Sequence, residues 1–162
     1  MGRMTLGRTN IILAITIMAL VTTGCSTVKM RPVTSEAKDL SVSLKLDKTS
    51  QGFILSVKNQ TNSEVIIDWE NTKYIHPKGG TEGGFTYGTE TTPEEGARAV
   101  GNIIINAQES VTRHIYPVAT RYCGRSCKWQ FLPPGTSGVY LVYRVTGENR
   151  EGRMRITGDL VK

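Results

Sequence analysis

"SVSLKLDKTSQGFILSVKNQTNSEVIIDW", Ser41 to Trp69, decides the fold class of this chain. Val42, Leu44 and Leu46 alternate with Ser41, Ser43 and Lys45, and after a polar stretch ending at Gly52 the alternation resumes at Phe53, Leu55 and Val57. "KNQTNS" then interrupts it before Val65, Ile67 and Trp69. A period of two places successive side chains on opposite faces, so each run is a half-buried strand rather than a helix. The Asn, Ser, Thr and Gly clusters between the runs are turn chemistry.

The habit continues downstream, in "NIIIN" (Asn102 to Asn106), Val111 to Tyr116, Trp129 to Phe131, "VYLVYRV" (Val139 to Val145) and Met154 to Val161. Val139, Leu141, Tyr143 and Val145 share one face of their strand and Tyr140 and Val142 the other, which predicts a central strand, covered on much of both sides and close to the strand carrying Trp69. Thr92 to Val100, "TPEEGARAV", is the best helical segment, with Pro93 near its first turn and Gly96 interrupting it. Seven or eight short strands separated by turn signals predict an all-β domain, a single antiparallel β-sandwich of immunoglobulin-like arrangement. Periodicity alone leaves a small barrel open.

The chain has 162 residues, room for one ordinary domain. Its 38% hydrophobic and 21% charged residues and 17 glycines describe a folded, turn-rich protein and exclude a collagen-like or wholly disordered chain. The net charge is +6; without Arg3 and Arg8 it falls to 18 cations against 14 acids, or +4. No block of five or six like charges supports nucleic-acid binding. Charge implies only a mild attraction to anionic envelope surfaces.

Those two arginines precede "IILAITIMALV", Ile11 to Val21, an uncharged run that gives way to Thr22, Thr23, Gly24 and Cys25. Eleven residues in a helix cover roughly 16 Å, about half of a hydrocarbon core. The pattern is that of a cleaved signal peptide rather than a permanent membrane span. "VTTGC", Val21 to Cys25, resembles the lipobox of bacterial lipoproteins, with Thr22 where leucine is commonest. The resemblance implies cleavage between Gly24 and Cys25, diacylglycerol on the Cys25 thiol and usually an acylated amino group, so that the bilayer itself is a partner. Each buried methylene contributes about 0.8 kcal/mol, which makes attachment by two or three acyl chains close to permanent. In lipoproteins of two-membrane bacteria, a residue other than Asp after the cysteine, here Ser26, implies the outer membrane. The expected organisation is a signal peptide over residues 1–24, lipidated Cys25 and a tether over 25–39, and a β-sandwich over 40–162. An extra edge strand around Val28 to Val33 is the alternative to the tether.

"RYCGRSCKW", Arg121 to Trp129, separates Cys123 from Cys127 by three residues. In an oxidising compartment the pair is expected to form a small disulfide loop that rigidifies its surroundings. Redox and metal chemistry are the alternatives; a thioredoxin-like motif has two intervening residues, and zinc needs two further ligands. Arg121, Arg125 and Lys128, flanked by Tyr122 and Trp129, are candidates to hold an anionic partner. The competing reading is of solvated cations with Trp129 in the core.

"GGTEGGFTYG", Gly79 to Gly88, lacks the lysine of a phosphate-binding loop and reads as a hairpin tip or long loop. Phe85 and Tyr87, read as exposed aromatics on mobile backbone, are further candidates for contact with a partner or a glycan. His76 and His114 are the only histidines, and neither has a catalytic neighbourhood in the sequence; no GxSxG or HExxH motif occurs. Asp68 and Glu70 flank Trp69 and, in a strand, would share its opposite face. No catalytic residue, cofactor or metal site is expected. "FILSVKNQTNSEVIIDWENTKYI", Phe53 to Ile75, resembles immunoglobulin-like domains of envelope lipoproteins, which supports the fold alone. The expected function is a non-enzymatic, membrane-anchored module with a protein partner in an envelope, secretion or surface-exclusion assembly. A glycan- or lipopolysaccharide-binding lipoprotein is the alternative.

Overall fold

A computed structural model describes residues 28–88, 101–148 and 150–162. The lipobox, the Thr92 to Val100 segment and Cys25 lie outside the described residues. The chain enters through β1 (Lys29–Met30) and β2 (Val33–Glu36), then forms β3 (Leu40–Leu46) and β4 (Phe53–Asn59). β5 (Val65–Ile67), β6 (Lys73–Ile75), β7 (Thr81–Glu82), β8 (Phe85–Gly88), β9 (Ile103–Ile105) and β10 (Ser110–Pro117) follow. A 3₁₀ turn, Val118–Thr120, leads into β11 (Arg121–Cys123) and β12 (Cys127–Trp129), and the long β13 (Gly135–Val145) and β14 (Arg150–Val161) complete the described chain.

These strands form two main antiparallel sheets. One runs β2-β3-β4-β10-β8; the other runs β1-β14-β13-β5-β9, with β6 also on β13 and β7 on β6. Leu40, Val42, Leu44, Phe53, Leu55, Val57 and Ile115 of the first share a core with Ile67, Tyr74, Val139, Leu141, Tyr143 and Ile156 of the second. Each fully buried Leu, Ile or Val contributes about 1.5–3 kcal/mol, so this shared face is the dominant stabilising element. The architecture is all-β and sandwich-like, as the period of two predicts.

β13 is the central strand that its sequence predicts. Val139 and Leu141 are fully buried on its inner face and Val142 is buried on the other. It pairs with β14 along one edge and with β5 and β6 along the other. Trp69 lies between those two partners, in a tight turn rather than in a strand. There the Thr72 hydroxyl donates to the Asp68 carbonyl and accepts the Val142 N–H at 3.2 Å, filling the gap that the turn leaves in the ladder. The Trp69 ring packs edge-on against Phe85 and Tyr87, at centroid distances of 6.2 and 5.7 Å.

Two corrections follow. Residues 28–39 are not a tether: β1 pairs with β14 and β2 with β3, so the folded domain starts by Val28. The chain changes sheets across Arg31–Pro32, where proline's missing N–H ends the first ladder. The short strands and absent apolar period hide this, because each strand is an edge with a single neighbour. Asp68 and Glu70, in turn, do not share a strand face. Asp68 opens the turn and accepts hydrogen bonds from Asn71, which hold its carboxyl below the usual range against a smaller opposing effect of burial.

The two ends of the sandwich are built differently. At one, Tyr143 donates to Asp39 at 3.1 Å and Arg150 pairs with the same carboxylate at 2.5 Å. Nearby, buried Asn59 accepts from the Thr61 N–H and donates to the Ser63 and Ile105 carbonyls, so "KNQTNS" is a turn held by one amide. At the other end, Thr49 and the Gln51 N–H donate to Asp47 in the β3–β4 turn.

Candidate interaction surface

β11 and β12 form a two-stranded sheet of their own, outside both main ladders. Its base is anchored through Trp129, whose ring lies 5.8 Å from that of buried Tyr116. Tyr116 shares a cross-strand pair with Thr86, and its ring lies under Gly52, where any Cβ would approach it within 2.6 Å. The Gln130 N–H donates to the Thr120 carbonyl and the Leu132 N–H to that of Ser50, while Leu132 itself is buried. From this fixed base Tyr122, Cys123, Gly124, Arg125, Ser126 and Lys128 all reach solvent.

The register pairs Arg121 with Trp129, Tyr122 with Lys128 and Cys123 with Cys127. Cross-strand partners share a face, so Tyr122 and Lys128 stand together on one side and Arg121 and Trp129 on the other. The Arg121 guanidinium lies 5.9 Å from the Trp129 ring centroid, and its buried Nε has no hydrogen-bond partner among the described residues. That stacking uses Arg121 to brace the hairpin. Of the three cations named from sequence, Arg125 and Lys128 are the ones left exposed for a partner. Trp129, half-buried, belongs to the hairpin's base and not to the sandwich core.

Exposed apolar groups gather at the same place. Tyr122 is 64% exposed, Phe131 60% and Val118 45%. Reading Trp129 to Phe131 as strand interior leaves Phe131 inside; the structure ends the strand at Trp129 and turns Phe131 outward. No local pattern marks this, because the hairpin faces no second sheet. Three large apolar groups beside two cations, on a hairpin anchored at its base, suit recognition rather than core packing.

The second candidate pair fares differently. Phe85 and Tyr87 are not on a mobile loop but in β8, paired with β10. Phe85 is only 4% exposed and packs against both Trp69 and Tyr74, so it is a core residue and is withdrawn from any binding site. Tyr87 is half-buried, and burial pushes its phenol well above its ordinary range. The exposed turn that the glycines predict is kept at Gly79 and Gly80, since Thr81–Glu82 form β7 paired with β6.

His76 accepts the Lys78 N–H through Nδ1 at 3.1 Å and sets its ring edge-on to Tyr74. His114 points its Nδ1 into a buried position without a hydrogen-bond partner among the described residues. Ser35 and Lys38 have the Ser-x-x-Lys spacing of some acyl-transfer enzymes. Ser35, however, lies on extended β2, where that spacing does not stack the two side chains as a helical turn does. Among the described residues no three His, Cys, Asp or Glu side chains converge as metal ligands, and no helix is long and apolar enough to cross a membrane. Comparison with known proteins gives no match to a family model, a curated protein or a solved structure.

Proposed function

We propose that this chain is a lipid-anchored envelope lipoprotein whose folded domain is a non-enzymatic interaction module in an envelope, secretion or surface-exclusion assembly. The observation that carries the reading is the β11–β12 hairpin, anchored at its base, which with the adjoining Phe131 presents Tyr122, Arg125 and Lys128 to solvent. The anchor rests on the lipobox ending at Cys25, with the outer membrane as destination. A disulfide between Cys123 and Cys127 belongs to the same proposal: the register sets the two residues opposite each other at the hairpin's tip. An immunoglobulin-like sandwich belongs to the proposal as well, supported by the order β3-β4-β10-β8 facing β14-β13-β5, which parallels the ABED and GFC strand orders. β1, β2 and β9 are additions to that plan.

In-cell crosslinking followed by affinity capture tests the module. A specific envelope protein recovered with the native chain, and lost with Arg125→Glu and Lys128→Glu, is the expected outcome; repeated recovery of no protein would sink it. Recognition of an anionic glycolipid is the second reading, favoured by the same exposed cations and weakened by the burial of Phe85.

A further inference from the structure

The contact surface and the start of the domain occupy the same end of the sandwich. Ser50 Oγ donates to the Val28 carbonyl at 3.2 Å, the Leu132 N–H donates to the Ser50 carbonyl at 2.8 Å, and Gln51 Nε2 donates to the Trp129 carbonyl at 3.4 Å. The β3–β4 turn therefore has the chain's point of entry bonded to one side and the hairpin's base to the other. Three residue steps separate Cys25 from Val28, a span of at most about 11 Å however the chain runs. With residues 28–39 in the sheets, an acylated Cys25 has no long leash: it holds this end of the domain against the bilayer surface.

That end has the chemistry of a membrane interface. Tyr122 and Phe131 are its exposed aromatic groups, and Lys29, Lys48, Arg125 and Lys128 are exposed around it. Two acids at the same end are engaged within the fold, Asp47 by Thr49 and Asp159 by Thr136 at 2.7 Å. Aromatic rings settle at the headgroup boundary, and clustered Lys and Arg are drawn to anionic lipid within a Debye length of the surface.

We infer that the β11–β12 hairpin is a second membrane contact, which docks on anionic phospholipid headgroups and fixes the tilt of the domain beside its acyl anchor. This rests on the acylated Cys25 proposed above and goes beyond the protein contact proposed for the same surface by adding a lipid one. A protein that also reaches the hairpin must then be seated in that membrane.

The test uses mature protein extracted from membranes of expressing cells and reconstituted into phosphatidylcholine–phosphatidylglycerol vesicles. Tyr122→Trp adds an emitter at the hairpin, and Asn62→Trp adds one in the β4–β5 turn at the opposite end. Acyl-chain-brominated lipid is expected to cut the emission added by Tyr122→Trp at least two-fold and to leave that added by Asn62→Trp unchanged. Arg125→Glu with Lys128→Glu, or pure phosphatidylcholine, is expected to restore most of the lost emission. The intact mass of the same preparation reads acylation separately. An acylated protein whose Tyr122→Trp emission is unquenched overturns the hairpin contact, leaves the anchor standing and returns the hairpin to a protein partner. An unacylated mass overturns the anchor instead, and quenching on mixing the protein with the same vesicles then decides the hairpin contact.

Discussion

Tyr143 shows how one side chain serves several levels of the fold. Its ring faces the core, its hydroxyl donates to Asp39, and Gly152 on the neighbouring strand lacks the Cβ that would run into the ring. Burial, and then the charge of Asp39, push the phenol up to about 12. The unfolded chain ionises it near 10, so over that interval the native state binds the extra proton and loses stability as pH rises. Chemical denaturation between pH 9 and 12 is therefore expected to show a falling midpoint, with a shallower fall in Tyr143→Phe; equal slopes would remove Tyr143 as a cause. Gly138 is tighter still, since a Cβ there would meet the Ile156 carbonyl on the paired strand, which has no rotamer to move. Gly138→Ala is expected to cost about 3 kcal/mol, at the upper end of overpacking, or to prevent folding, as read by urea denaturation.

At the scale of elements, the informative pieces are the shortest ones. β1 and β2 total six residues, yet they cap the end of β14 and the free edge of β3. A chain starting after Glu36 would leave both edges bare and uncover Leu160 and Leu44, so it is expected to aggregate or unfold at lower denaturant than one starting at Val28. Equal stability of the two, measured side by side, would mean that the segment is dispensable. The hairpin β11–β12 is the opposite case, an element that the domain does not lean on for its core. If Cys123 and Cys127 are bridged, reduction is expected to cost no more than about 2 kcal/mol by loop-closure entropy. Hydrogen exchange should accelerate in residues 121–129 while β4 and β13 keep their protection; a collapse of the whole domain on reduction would contradict this division.

Across the whole molecule, protection should follow the number of strand neighbours. β4 lies between β3 and β10, and β13 between β14 and the β5–β6 pair, so their amides should exchange most slowly, with the one-neighbour strands β1, β2, β7, β8, β9, β11 and β12 faster. The period of two in Val42–Leu46 and Phe53–Val57 made those strands and their inward residues legible, because each has one wetter face and one in the core, while Val139–Val145 stood out as a long apolar run covered on much of both sides. Phe85 was misplaced because its neighbours are glycines and threonines, and only pairing with β10 shows that the segment has left the loop. Phe131 erred the other way, as an apolar residue with no sheet opposite it.

By itself the sequence determined the fold class and the main strand positions, since alternation is a local consequence of backbone geometry. It also determined the candidate anchor at Cys25 and the cluster of Arg121, Arg125 and Lys128, which depend on residue type and spacing. Only the tertiary structure decided that the supposed tether is part of the sheets, that Phe85 is core and Arg121 a brace, and that the hairpin shares its end of the sandwich with Val28. Those outcomes depend on which distant strands meet, and contacts between residues far apart in the chain leave no period in either partner.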